Sequence, residues 1–235
     1  MTALAFQTAP LRRDTSVLAG LALAQTLLFL VPIVVLGAAI GWPGSLRLPA
    51  HEVLPLIAQS PRAVQIGYGF YLLVSLALVP LAVALRSHAI ARGVSCPLVD
   101  AAAALGVAAG LLKMLGIVRW LVAMPELAAL HAAAPDAAAR IAVETAYVAL
   151  NAYAGSLGEL LGVQLVSGLW LVATGIVLAR LGHAWVGPVG IAIGALFAAT
   201  SLRVAIPGAA ALQDVAVPLA LLWFPALAVG LVRRL

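Results

Sequence analysis

Cysteine and lysine each occur once in this chain, and charged residues of all kinds make up only 9% of it. The lone thiol, Cys96, has no internal disulfide partner, so chemistry that needs two thiols is excluded and a plain loop residue is expected there. Histidine is scarce as well. His51, His88, His131 and His183 are assigned to loops, so none pairs across facing spans to hold a haem iron, and none has zinc-helix spacing. No metal and no cofactor are expected. A phosphate-cradling glycine and lysine loop is also missing, which removes direct ATP hydrolysis. The run Ala154, Gly155, Ser156, Leu157, Gly158 places its serine one position early for a nucleophile elbow, with no intramembrane histidine as base. No catalytic residue is assigned, and enzymatic activity is not the expected role.

What fills the chain instead is apolar. Hydrophobic residues make up 65% of its 235 positions and the mean hydropathy is +1.16, whereas soluble domains carry about 25% charge and ~45–50% apolar residues with glycine counted in. Such a composition belongs to lipid. The formal charge of +5 and pI near 10.1 come from arginines that gather at membrane edges, so no nucleic-acid partner is expected.

A bilayer core of about 30 Å needs roughly 20 apolar residues in helical form. Six stretches qualify: Ser16 to Ile40, Gly67 to Leu85, Pro97 to Met124, Ala152 to Leu181, Trp185 to Ala205 and Ala211 to Val232. The sequence therefore predicts an all-α fold, a polytopic bundle of six transmembrane helices forming one domain over residues 1–235. Arg12, Arg13, Arg86, Arg92, Arg180, Arg233 and Arg234 fall on one side, which predicts that both termini are cytoplasmic. Two longer outward loops, Gly41 to Ile66 and Pro125 to Tyr147, each carry a helical stretch expected to lie on the membrane surface, the second over Ala128 to Thr145. Tyr68, Tyr71, Tyr147, Tyr153, Trp120 and Trp185 are assigned to interfacial belts.

An ionisable group inside the bilayer costs around 2.5–3.5 kcal/mol on insertion scales and is a candidate functional residue by default. Lys113 lies ~16 Å from the outer end of the third span at helical rise. Glu159 lies roughly 10 to 15 Å into the fourth from the same side. Gly106 and Gly110 share a face with Lys113, and Gly158 and Gly162 flank Glu159, each pair forming a small-xxx-small packing motif. Packing of the third and fourth spans along these glycines predicts a Lys113–Glu159 ion pair. Arg119 competes for the carboxylate, and Asn151, Gln25 and Gln164 are possible hydrogen-bond partners. Arg203 and Asp214 flank an outward turn and are expected to pair with each other. A further small pair, Gly190 and Gly194, predicts either tight internal packing or a self-association face.

Several local patterns carry a family resemblance. An Ala134, Pro135, Asp136 element precedes a long span of small and apolar residues, which ends at Ala179, Arg180, Leu181, Gly182. A glycine-rich span, Val186 to Gly194, follows, and the last span opens Val215, Ala216, Val217, Pro218. In these features the latter half of the chain resembles the bacterial integral-membrane family known as domain of unknown function 4386, departing from it at Leu222, Trp223 and Phe224. The resemblance implies about six spans and, together with the alanine-rich composition, a bacterial cytoplasmic (inner) membrane, and it carries no activity. Two roles follow from the residues. One is an accessory subunit or self-associating scaffold, partnered by lipid and by another membrane protein or a second copy. The other is a small secondary transporter or ligand-binding receptor in which the Lys113 and Glu159 cluster lines a polar cavity.

Overall fold

The computed structural model describes residues 3–233, with side chains from Asp14 onward. Arg12, Arg13 and Arg234, used above for orientation, lie outside the described side chains. Among the described residues there is no strand, and six helical segments are long and apolar enough to cross a membrane. The chain is a multi-pass helical membrane protein.

The first span is α1 (Ala3–Ile40), the second α3 (Pro61–Ala91) and the third α4 (Pro97–Leu121). The fourth is composite: α6 (Ala137–Gly155), a π-helical segment (Ser156–Val166) and α7 (Ser167–Arg180) run on without a break. Helix α8 (Val186–Thr200) and helix α9 (Leu212–Val232) complete the set, joined by two 3-10 turns between Ser201 and Ala211. Two short helices, α2 (Ala50–Gln59) and α5 (Ala123–Ala132), pack on each other at one end of the bundle. That end is called the α2 end below, and the other, where α9 finishes, the terminal end.

Helix boundaries follow local chemistry. Gly41, Gly93 and Gly182 end α1, α3 and α7 with φ of 68°, 81° and 83°, a left-handed conformation that only glycine adopts without steric cost. Asp136 starts α6 by accepting the Ala139 amide proton at 2.8 Å, an N-cap that explains the Ala-Pro-Asp element. This cap corrects the second outward helix. Ala133 to Asp136 break the stretch Ala128 to Thr145 in two, and its latter part belongs to the fourth span. That span runs over 44 residues, Ala137–Arg180, or roughly 66 Å at helical rise, far more than a 30 Å hydrocarbon layer holds. The first turns of α6 therefore stand beyond it, beside α2 and α5.

The spans close into a ring in chain order: α1 on α3, α3 on α4, α4 on the π segment and α7, α7 on α8, α8 on α9, and α9 back on α1. Thr26 Oγ1 ties the closure by donating to the Leu221 carbonyl at 2.8 Å. Toward the terminal end the ring is filled by Trp170, Trp223, Leu78, Leu81 and Leu171. Trp170 and Trp223 meet edge to face at 6.4 Å, and the Trp223 indole donates to the Val186 carbonyl at 2.9 Å. At the α2 end a second core joins Leu36, Val53, Leu54, Ile57, Trp120 and Met124, so α2 and α5 cap the bundle.

Glycines set the close approaches, and the structure redistributes them. Gly106 faces Ala82 of α3 and the Trp170 indole, and Gly110 faces the Ser75 carbonyl and Val79 of α3. Gly106 meets the fourth span at Trp170 of α7, but neither glycine lies against the π segment. The residue of α4 that does is Gly116, whose backbone lies directly against that of Gly158, while Gly162 faces the Lys113 backbone. Gly190 packs on Trp223 and Gly194 on the Gly168 carbonyl, so both are used inside the bundle. Three aromatic assignments also change: Tyr68, Tyr147 and Trp120 are buried, not interfacial, because α2 and α5 cover them. His51, His88 and His131 lie in helices, not loops, and His88 and His183 are buried.

Candidate functional site

Between the two cores the ring is hollow. A cavity of about 380 Å³ lies toward the α2 end, walled by α1, α3, α4, the π segment and α9 and closed in part by the turn from Trp42 to Arg47. Its size falls within the range typical of enclosed small-molecule sites.

Lys113 and Arg119 reach this space from α4. The Gly116 and Gly158 contact brings the α4 backbone against the π segment, and Gly162, lacking a side chain, leaves room for Lys113. Glu159 consequently lines the same cavity as Lys113. The expected ion pair between them is absent: among the described residues Lys113 has no carboxylate within 4.0 Å, and no hydrogen bond satisfies its ammonium. Glu159 instead accepts from Arg203 Nη2 at 3.3 Å. Arg203 arrives from the turn after α8, which the ring places directly above the π segment. Its expected partner Asp214 pairs with Arg47 at 3.5 Å, across the mouth of the cavity.

Arg119 is 7% exposed and held on two sides. Its Nε donates to Asn151 Oδ1 at 3.1 Å and its Nη1 to the Gly116 carbonyl at 2.6 Å. Gly155 gives the guanidinium space, since a Cβ there would lie 3.3 Å from Nη2. Asn151 thus acts behind the wall as a positioning residue. Gln164 is buried and its Nε2 donates to Gln213 Oε1 at 2.6 Å, linking the π segment to α9. Gln25 is buried in α1 away from the cavity lining.

The π segment is the unusual element of this wall. Ser167 Oγ donates to the Gly162 carbonyl at 2.7 Å, five residues back, the same carbonyl that accepts the Ser167 amide proton in the wider turn. Such segments are rare and often accompany functional positions.

Aromatic rings share the rest of the lining with aliphatic side chains such as Ile33, Ile117 and Leu221. Phe29, Trp42 and Tyr71 meet edge to face, with centroids 5.0 to 6.2 Å apart. Tyr68 stacks on Trp120 at 4.6 Å, and the Arg119 guanidinium lies 5.5 Å from the Trp120 ring centre. Arg47, Arg203, Gln213 and Asp214 join the site without having been singled out for it. The available signal was a charged residue placed beside an apolar span; their partners, up to 167 positions away, left no local trace.

The fold and site define a class: a six-span helical membrane protein with an internal charged cavity. Within it the chain belongs to the family described as Domain of unknown function (DUF4386), whose model matches residues 24–232. The match reaches well beyond the latter half that carried the resemblance and takes in every residue of the cavity wall. No curated protein and no solved structure matches the chain.

Proposed function

We propose that this chain is a ligand-binding membrane protein, a receptor or a small secondary carrier, whose binding site is the cavity beneath α2. The observation that carries this reading is Lys113. A cation on the wall of a hollow bundle, with no carboxylate within 4.0 Å among the described residues, is expensive to maintain. A ligand offsets that cost, whereas a merely structural charge is normally paired. The aromatic walls and the size of the cavity support the same reading. A scaffold or accessory role rested in part on glycine packing faces, and Gly190 and Gly194, the pair with a self-association reading, are occupied within the bundle. The short connections at the terminal end are what still favours it.

The proposed setting is a bacterial cytoplasmic membrane. Arg86, Arg92 and Arg180 lie at the terminal end, which the positive-inside tendency assigns to the cytoplasm. The cavity then opens outward.

Native mass spectrometry of the protein extracted gently from its own membrane tests the proposal. The expected result is a retained small molecule that disappears on Ile33→Trp, a change that fills the cavity from α1. A stoichiometric protein partner with no small molecule would favour the accessory role instead.

A further inference from the structure

Resting on the ligand-binding reading, we infer that the ligand is a water-borne organic carboxylate with an apolar or aromatic body, its carboxylate seated on Lys113. Three observations lead there. The first is charge. Four cationic side chains line the cavity, Arg47, Lys113, Arg119 and Arg203, against two anionic ones, Glu159 and Asp214. Both carboxylates are already bound, Glu159 by Arg203 and Asp214 by Arg47, so the uncompensated charge sits on Lys113 and Arg119. A cationic or neutral ligand leaves that charge in place. An anion removes it.

The second observation selects among anions. A phosphate monoester carries about −1.5 to −2 charge at pH 7 and calls for more than one free cationic donor, whereas a carboxylate carries a single charge. In Arg119 either fork pairs Nη2 with Nε or with Nη1, and both of those partners are already engaged, by Asn151 and by the Gly116 carbonyl. Lys113 is left as a compact point charge with all three protons unassigned, a match for one carboxylate. The Arg119 charge, fixed by Asn151, adds long-range attraction.

The third concerns the route and the body. Arg47 and Asp214 at the mouth keep 69% and 61% of their side chains exposed, which requires water or headgroups there, not acyl chains. The ligand enters from the aqueous face above α2. A cavity of about 380 Å³ is too small to enclose a two-chain phospholipid. Phe29, Trp42, Tyr71 and Trp120 offer flat apolar surface to the part of the ligand beyond its carboxylate.

Isothermal titration of the full chain in phosphatidylcholine nanodiscs tests this with phenylbutyrate, its neutral isostere phenylbutyramide, and phenyl phosphate. Phenylbutyrate is expected to bind about tenfold or more tightly than the amide, because only the acid forms a charge-assisted contact. Lys113→Met should erase that preference, and Lys113→Arg should keep the acid within about threefold of wild type. Equal binding of acid and amide, an unchanged preference in Lys113→Met, or tighter binding of phenyl phosphate overturns the carboxylate assignment. So does acid binding that survives Ile33→Trp, since it lies outside the cavity. If neither acid nor amide binds while mass spectrometry shows a molecule lost on Ile33→Trp, the carboxylate assignment falls and the ligand-binding reading stands. If nothing binds and nothing is retained, both fall.

Discussion

The Arg203 guanidinium donates to the Glu159 carboxylate across 3.3 Å, tying the turn before α9 to the π segment of the fourth span. This bond takes the acid away from Lys113, and the cavity owes its positive character to that choice. Glu159 and Arg203 are each about 30% exposed at the side chain, at 28% and 32%, so the pair lies between the weak surface case and the costly buried one. Glu159→Gln should lower stability by about 1–2 kcal/mol, with Arg203→Gln similar and the double change less than the sum of the two. Thermal unfolding in detergent, followed by tryptophan fluorescence, checks this; strictly additive losses would show that the two side chains do not interact.

The Gly116 and Gly158 contact is backbone on backbone, so no side chain can yield to make room there. Gly116→Leu should cost about 1–3 kcal/mol or more through overpacking and should separate α4 from the π segment, abolishing any cavity ligand. Gly69→Ala is the control. A Cβ at Gly69 meets nothing within 4 Å, and alanine in a helix interior should be neutral or stabilising by about 0.5–1 kcal/mol. The comparison is read as a difference in unfolding midpoint.

Asp136 holds the first turn of α6 through its bond to the Ala139 amide at 2.8 Å. Asp136→Ala should destabilise by about 0.5–2 kcal/mol and Asp136→Asn, which caps equally well, by much less. Hydrogen exchange localised to Ala137 through Arg140 is the sensitive measurement. Equal protection in both variants would mean that the cap is dispensable.

Orientation is open to a direct chemical test because Cys96 is the chain's one thiol, placed at the start of α4 with Arg180 Nη1 3.3 Å from its sulfur. A membrane-impermeant maleimide should label Cys96 in inverted vesicles and not in intact cells. With Cys96→Ala in the background, Gly208→Cys at the opposite end should reverse the pattern. The opposite pair of results would turn the bundle over and open the cavity to the cytoplasm.

The six spans were legible in the sequence because long apolar runs are a local property, and lipid demands them regardless of which neighbour each helix meets. The placing of Lys113 and Glu159 on one cavity was also legible, since each stands alone within an apolar span and the fourth-span glycines do turn toward α4. Partner choice was not. Glu159 and Arg203 are 44 positions apart and Arg47 and Asp214 are 167 apart, and only closure of the ring brings either pair within reach. The close backbone contact of α4 with the fourth span likewise lies at Gly116, because α3 backs Gly110 and shares Gly106 with the Trp170 indole. A helical-face count cannot foresee this: it assumes regular turns, and the π segment interrupts them at the residues that build the site. The sequence by itself thus determined the solvent, the number of crossings and which charges lie within them. Tertiary structure alone decided which charges neutralise one another and which is left over, since an ion pair depends on a few ångströms between side chains that the chain order does not specify.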